Sequence, residues 1–159
     1  MERFAQTLTF IGALGSGILG GLFFIFSVCI MASFAKLTPA NGISAMSAIN
    51  VTILNGWFLT VFMGTTLLCA ALIVGWFLSW FPAGGPLVAL GSATLIIGMF
   101  GVTMFFNVPM NGTLASMNPD SAEGVALWQD FLVRWTLWNH VRTVASILSS
   151  ALFILALWK

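Results

Sequence analysis

The stretch "GWFLTVFMGTTLLCAALIVGWFLSWF", Gly56 to Phe81, contains no charged residue, and it decides the fold. It is longer than the ~20 apolar residues that an α-helix needs to cross a bilayer core. Because that core offers no water to backbone N–H and C=O groups, an apolar stretch of this length is expected to be helical. The stretch therefore predicts a transmembrane helix.

Three further stretches are also long and apolar, and only the last contains a charged residue, Arg142: Ile11–Phe34, Leu87–Phe106 and Trp138–Trp158. Only 6% of the residues are charged and 60% are hydrophobic, whereas a soluble globular domain carries about 25% charged residues. We therefore predict an all-α integral membrane protein, an antiparallel four-helix bundle forming one domain over residues 1–159. The spans are expected at about residues 8–35, 53–81, 87–106 and 136–158, in a multi-pass protein of the cell membrane with the lipid bilayer as its surroundings.

An even number of spans places both termini on one side, side A, together with the turn "WFPAGGP", Trp80–Pro86. The opposite side, side B, then holds the segments Lys36–Asn55 and Asn107–Leu137. The sequence "NPDSAEG", Asn118–Gly124, supplies helix caps, so the fourth helix is expected to begin there and to be unusually long. Lysine and arginine occur in the flanks on both sides, which leaves the membrane orientation undecided.

A polar and aromatic stripe runs along this fourth helix. At 100° per residue, its members fall within about 100° of one another and are expected to face the bundle interior. They are Trp128, Trp135, Asn139, Arg142, Ser146, Ser149 and Ser150. The serines are typical of hydrogen bonds between membrane helices. For Arg142 two interpretations stay open: it faces a pocket, or it extends to nearby lipid headgroups.

The segment "WNHVRTV", Trp138–Val144, contains the only histidine, His140. On an ideal helix His140 lies about 160° from Arg142, so the two side chains are not expected to face the same point. In "FNVPMNGTL", Asn107 and Asn111 flank Pro109, which predicts the end of the third helix near Phe106. These residues and Asn55 arrive at the same depth on side B, so we expect a polar pocket there, roofed by the loop Gly112–Pro119.

The composition also excludes some classes of function. A net charge of +1 gives no reason to expect a nucleic-acid partner. One histidine and two cysteines in separate spans match no zinc spacing, so no metal is predicted. No phosphate-binding glycine loop follows a strand, so no nucleotide cofactor is predicted. The glycine-lined first helix leaves self-association into a homo-oligomer open.

"FNVPMNGTL" followed by "WTLWNHVRTVASILSSALFILAL", Trp135–Leu157, resembles the anthrone-oxygenase-like family of small four-span membrane proteins. The resemblance covers the third and fourth spans, and the first two only in hydropathy. It implies oxidation of an anthrone to an anthraquinone by dioxygen without a cofactor.

In the roles that the resemblance implies, His140 is the base and Arg142 stabilises the enolate oxygen. Asn139, Asn107 or Asn111 assist Arg142, while Trp135 and Trp138 hold the planar substrate. The leading hypothesis is thus a cofactor-independent oxygenase acting on a flat hydrophobic phenol-like or quinone-like molecule. A non-enzymatic binder or carrier of a lipophilic small molecule, and a structural membrane protein, remain as alternatives.

Overall fold

The computed structural model describes residues 2–81 and 83–159, and this part of the chain contains helices and no strand. Four helices in it are long and apolar enough to cross a membrane: Arg3–Phe34, Gly56–Phe77, Gly85–Ser116 and Ala122–Leu157. The protein is thus an all-α, antiparallel four-helix membrane bundle, as its hydropathy predicts. A shorter fifth helix lies at one end.

The first helix, α1, is α-helical over Glu2–Ile25, continues as a π-helix over Phe26–Ile30 and ends with Met31–Phe34. A π-helical turn inserts an extra residue into the helix and changes the direction of the side chains that follow. In α1 this segment begins at Phe26, which is buried, as is Phe23 three residues before it.

The next helix, α2, covers Pro39–Thr52 on side B, where the sequence predicts only a connecting segment. Thr38 caps it by accepting a hydrogen bond from the Asn41 amide at 3.4 Å, and a proline stands in the first turn, where its missing N–H costs nothing. Its inner face carries Ile43 and Met46, both buried. This helix therefore closes the side B end of the bundle.

The second span, α3, covers Gly56–Phe77. Gly84, with φ of 74°, turns the chain back towards side B; a Cβ there would come within 2.7 Å of the Ala156 carbonyl oxygen. Glycine is the residue that adopts this left-handed backbone without strain. The expected tight turn is therefore present over the described residues, and Pro82 of that turn lies outside them.

The third span, α4, does not end near Phe106 as predicted. It is α-helical over Gly85–Leu95, π-helical over Ile96–Gly101 and Thr103–Asn107, and α-helical again over Val108–Ser116. Pro109 stands in the first turn of that last segment. Because a proline loses no intrahelical bond at a helix start, the second π-turn lets the chain pass Pro109 without stopping.

The fourth span, α5, covers Ala122–Leu157 and confirms the predicted long helix and its start. Ser121 caps it, accepting a 3.0 Å hydrogen bond from the Gly124 amide. It packs mainly against α1 and α4. The predicted stripe faces inward as expected, since Trp128, Trp135, Asn139 and Arg142 are all buried.

Candidate functional site

Arg142 is buried in the bundle, with 6% of its surface exposed, and it is the only buried charged residue among those whose side chains are described. Its Nη2 donates a 2.7 Å hydrogen bond to Oδ1 of Asn139, and its Nη1 donates a long one, 3.4 Å, to Oγ1 of Thr103. Its Nε is buried and has no protein partner. The guanidinium is therefore held by neutral groups and only partly satisfied.

Among the side chains that the structure describes, no carboxylate pairs with this charge. In the described part of the chain the one ion pair joins Arg134 and Asp130 at 3.3 Å, and both of those side chains are more than half exposed. Removing a cation from water without an anionic partner costs several kcal/mol. An ionisable side chain inside a membrane-spanning bundle is a candidate functional residue.

Two aromatic rings lie against the guanidinium. Its Cζ is 4.4 Å from the ring centroid of Phe23 and 5.0 Å from that of Trp135. Cation–π contacts of this geometry contribute about 0.5–2 kcal/mol each, more where water is excluded. They compensate part of the desolvation cost without using any of the N–H donors of Arg142.

Asn139 fixes the position of Arg142. Its Nδ2 donates 2.7 Å hydrogen bonds to the Phe23 carbonyl oxygen and to Ser27 Oγ, both on α1. Ser27 in turn lies 3.2 Å from Thr143 Oγ1. The amide therefore joins α1 to α5 with its Nδ2 and orients the guanidinium with its Oδ1.

Arg142 and Thr103 reach the wall of a cavity of about 550 Å³ near side B. Helices α1 to α5 all contribute to the wall, and α2 closes its outer end with Met46 and Asn50. Most of the lining is apolar, and its aromatic part consists of Phe23, Phe26, Phe58, Phe62 and Trp135. A volume of this size is within the range of small-molecule sites in proteins.

The amides of α4 anchor Trp135, which forms one side of the cavity. Asn111 Oδ1 accepts a 2.8 Å hydrogen bond from Trp135 Nε1, and Asn107 Nδ2 donates one of 3.3 Å to the Trp135 carbonyl oxygen. Asn111 lines the cavity, whereas Asn107 lies behind the wall and its Oδ1 has no protein partner. On α2, the buried Nδ2 of Asn50 also lacks one.

The structure thus brings together five of the residues that the sequence singles out: Arg142, Asn111 and Trp135 line the cavity, and Asn139 and Asn107 support them. The expected pocket is present, but α2 closes it together with the end of α4. The predicted roof, Gly112–Pro119, is largely helical, since α4 continues to Ser116.

The other three predicted residues lie elsewhere. His140 is exposed and is not part of the cavity wall, in agreement with its angular distance from Arg142 on α5. Trp138 stacks on Phe106, with ring centroids 3.7 Å apart, outside the wall. Asn55 caps α3, where its Oδ1 accepts a 3.1 Å hydrogen bond from the Phe58 amide. A catalytic role of His140 stays a prediction.

Sequence reasoning missed Thr103, Ser27 and Phe23. The only sequence signal of Thr103 and Ser27 is that each is a hydroxyl residue inside an apolar span. Nothing in the sequence distinguishes Phe23 from the other phenylalanines. Within the described residues, no group of three or more His, Cys, Asp or Glu side chains could hold a metal ion.

The sequence profile of the family described as "Anthrone oxygenase" matches residues 57–152, which include nearly all of α3, the whole of α4 and most of α5. The match thus covers the second span as well, and it includes Thr103, Asn111, Trp135 and Arg142. No curated protein and no solved structure matches the chain. Because the profile covers more than half of the chain, the protein belongs to the anthrone oxygenase family.

Proposed function

We propose that the protein is a cofactor-independent oxygenase of the cell membrane that oxidises a planar, hydrophobic phenol-like or quinone-like substrate with dioxygen. One observation carries the proposal: a buried arginine without a carboxylate partner faces an apolar, partly aromatic cavity. The family match supports the same chemistry.

Arg142 would act on the acidity of the substrate. An anthrone-type molecule has a CH₂ group conjugated through its rings to a carbonyl, so loss of a proton produces an enolate with its charge on oxygen. A guanidinium in a water-poor site stabilises such an anion far more than water-exposed donors do. The free Nε and the weakly bound Nη1 of Arg142 are the donors available to that oxygen.

The enolate then reacts with dioxygen directly. Its carbon forms a C–O bond and gives two electrons to O₂, and the resulting peroxide anion takes up a proton. Loss of the second C–H proton breaks the O–O bond and forms the new C=O. Hydroxide leaves and takes up that proton as water. In sum, the substrate and O₂ yield a quinone and water, with the substrate itself as the source of all four electrons.

The first proton needs an acceptor. The wall residues within the described part of the chain include no histidine, aspartate or glutamate. We therefore propose that the substrate loses its proton to water at the cavity mouth and that Arg142 retains the anion. His140 as the base, which the resemblance implies, is the competing hypothesis, and its substitution separates the two.

A second candidate function is the binding or transport of a lipophilic anion without chemistry. The position of His140 outside the cavity favours it, because the wall then needs only to hold the molecule. Both functions require Arg142, so binding alone does not separate them.

The experiment uses purified protein in lipid nanodiscs with 1,8-dihydroxyanthrone and ¹⁸O₂. The oxygenase hypothesis predicts protein-dependent formation of the anthraquinone with one ¹⁸O atom, above the spontaneous rate and lost in Arg142→Leu. Binding of the anthrone with a rate no higher than that of empty nanodiscs would overturn the oxygenase and favour the carrier.

A further inference from the structure

The cavity wall is exposed on one side. Six apolar residues belong to the wall and yet have 38–76% of their surface exposed, so they form a rim: Val51, Leu54, Leu59, Met63, Met104 and Val108. Four of them lie on α3 and α4, within segments long and apolar enough to span a membrane. These four residues therefore face the hydrocarbon of the bilayer, whereas Val51 and Leu54 lie at the side B end of the cavity, outside the spans.

The course of α4 explains this opening. Helix α3 packs against α4 over Gly85–Leu95 and Ile96–Gly101, whereas the last part of α4, Val108–Ser116, packs against α2 and α5. The second π-helical segment of α4, Thr103–Asn107, lies between these regions, and the first, Ile96–Gly101, is the last part of α4 that packs against α3. The side B ends of α3 and α4 thus separate, and the apolar rim borders the gap between them.

The charge arrangement limits what can occupy this space. At one point of the wall lies the unneutralised guanidinium of Arg142, and the rim of the gap is hydrocarbon-like. For a chain attached to an anionic head bound to Arg142, the gap offers an apolar path out into lipid. A polar or charged substituent in the gap would lose its hydration and find no hydrogen-bond partner among the apolar rim residues.

We infer that the cavity takes its ligand from the bilayer through the gap between α3 and α4, and that its preferred ligands carry a long alkyl or isoprenoid chain beside the anionic ring. The chain of the bound ligand runs out between Met63 and Met104. The inference rests on the proposed function in taking the occupant of the Arg142 cavity to be the substrate, and it adds the class of substrate.

Binding of two compounds tests the inference: 2-hydroxy-1,4-naphthoquinone, a planar anion at neutral pH, and its 3-dodecyl derivative. Each is titrated into nanodiscs of fixed lipid composition holding wild type, Met63→Trp or Met104→Trp. The matched control is Leu67→Trp, on the lipid-facing side of α3 and outside the cavity wall.

We expect either methionine substitution to weaken binding of the dodecyl compound at least about tenfold, a change of about 1.4 kcal/mol, and to leave the chainless compound within about twofold. Leu67→Trp should change neither. Unchanged binding of the dodecyl compound in both methionine variants would overturn the inference. An equal loss for both compounds would also overturn it, because the chain would then not occupy the gap.

A second measurement needs no variant. A derivative with a photoreactive diazirine at the fourth chain carbon should label wild-type protein within residues 59–63 or 104–108, and an excess of the chainless compound should suppress this labelling. Labelling confined to other lipid-facing surfaces would contradict the inference. Neither measurement involves turnover, so both can succeed where the oxygenase proposal fails. Rapid oxidation of a chainless anthrone alongside negative results here would overturn this inference alone.

Discussion

Asn139 Oδ1 accepts a 2.7 Å hydrogen bond from Arg142 Nη2, one turn further along α5, and the same amide holds α1 through Phe23 and Ser27. The orientation of the only buried charge in the described side chains thus depends on a neutral amide that also joins two spans. This arrangement leaves the positive charge available, which a carboxylate at the same position would not.

Replacing Arg142 should therefore separate stability from function. Arg142→Leu removes an uncompensated buried charge. We therefore expect the free energy of unfolding to stay the same or to rise by about 1–4 kcal/mol. Turnover should fall by about 10²–10³, the usual effect of losing one donor to a developing oxyanion. Thermal unfolding and product formation measure the two effects. A leucine variant that retains wild-type turnover would exclude Arg142 from the site.

A carboxylate placed beside Arg142 should occupy the anion site. Thr103 lines the cavity 3.4 Å from Nη1, so Thr103→Asp is expected to form an internal ion pair and abolish binding of 2-hydroxy-1,4-naphthoquinone. Thr103→Asn is the matched control, because asparagine has a similar size to aspartate and no charge. We expect its Kd for the same compound to stay within about threefold of the wild-type value, a difference below 1 kcal/mol at about 1.4 kcal/mol per tenfold. Equal binding by the two variants would show that charge at Arg142 does not determine ligand binding.

His140→Gln tests whether His140 is the base, as the family resemblance implies, or whether water accepts the proton, as we propose from the position of His140 outside the cavity wall. Because His140 is exposed on the other side of α5, we expect anthrone turnover to stay within about twofold of wild type, whereas loss of a true general base costs 10²–10⁴-fold. The pH dependence of the rate should also be unchanged. A large loss that imidazole restores would establish His140 as the base.

The fit of α2 over the cavity depends on Gly42. A Cβ at this position would come within 2.7 Å of Cε2 of Trp128, which is 1% exposed and has little room to move. We expect Gly42→Ala to destabilise the protein by about 1–3 kcal/mol, as overpacking does, and to weaken ligand binding by displacing α2. Gly64→Ala, on α3 with no atom within 4 Å of the added methyl group, should be neutral or slightly stabilising. Similar stabilities for the two variants would contradict tight packing of α2.

The sequence was sufficient to predict the number of spans, their approximate positions apart from the end of α4, and the inner face of α5. Hydropathy alone locates the spans, and the 100° rotation per residue places Asn139 and Arg142 on one stripe and His140 away from it. The first prediction depends on local composition, and the second on regular α-helical periodicity, which α5 keeps over its whole length.

The sequence did not predict the continuation of α4 past Pro109, the helix α2 or the role of Thr103. The first of these depends on departures from the regular α-helix. Pro109 normally marks a helix end, but the π-turns before it allow α4 to continue, and their hydrogen-bond pattern has no simple sequence signal. Helix α2 is too short and too polar to stand out among membrane spans. Thr103 becomes important only because α4 brings it to Arg142.

The central claim is that Arg142 binds an anion in an apolar cavity, and the ionisation state of a bound phenol tests it most directly. 2-Hydroxyanthraquinone changes colour on ionisation, so its absorption in nanodiscs can be followed across pH with wild type and Arg142→Leu. We predict that wild type binds the ionised form and lowers the pH at which the compound ionises, and that Arg142→Leu does not. A bound compound that stays neutral in wild type, or ionises equally in both proteins, would contradict the account.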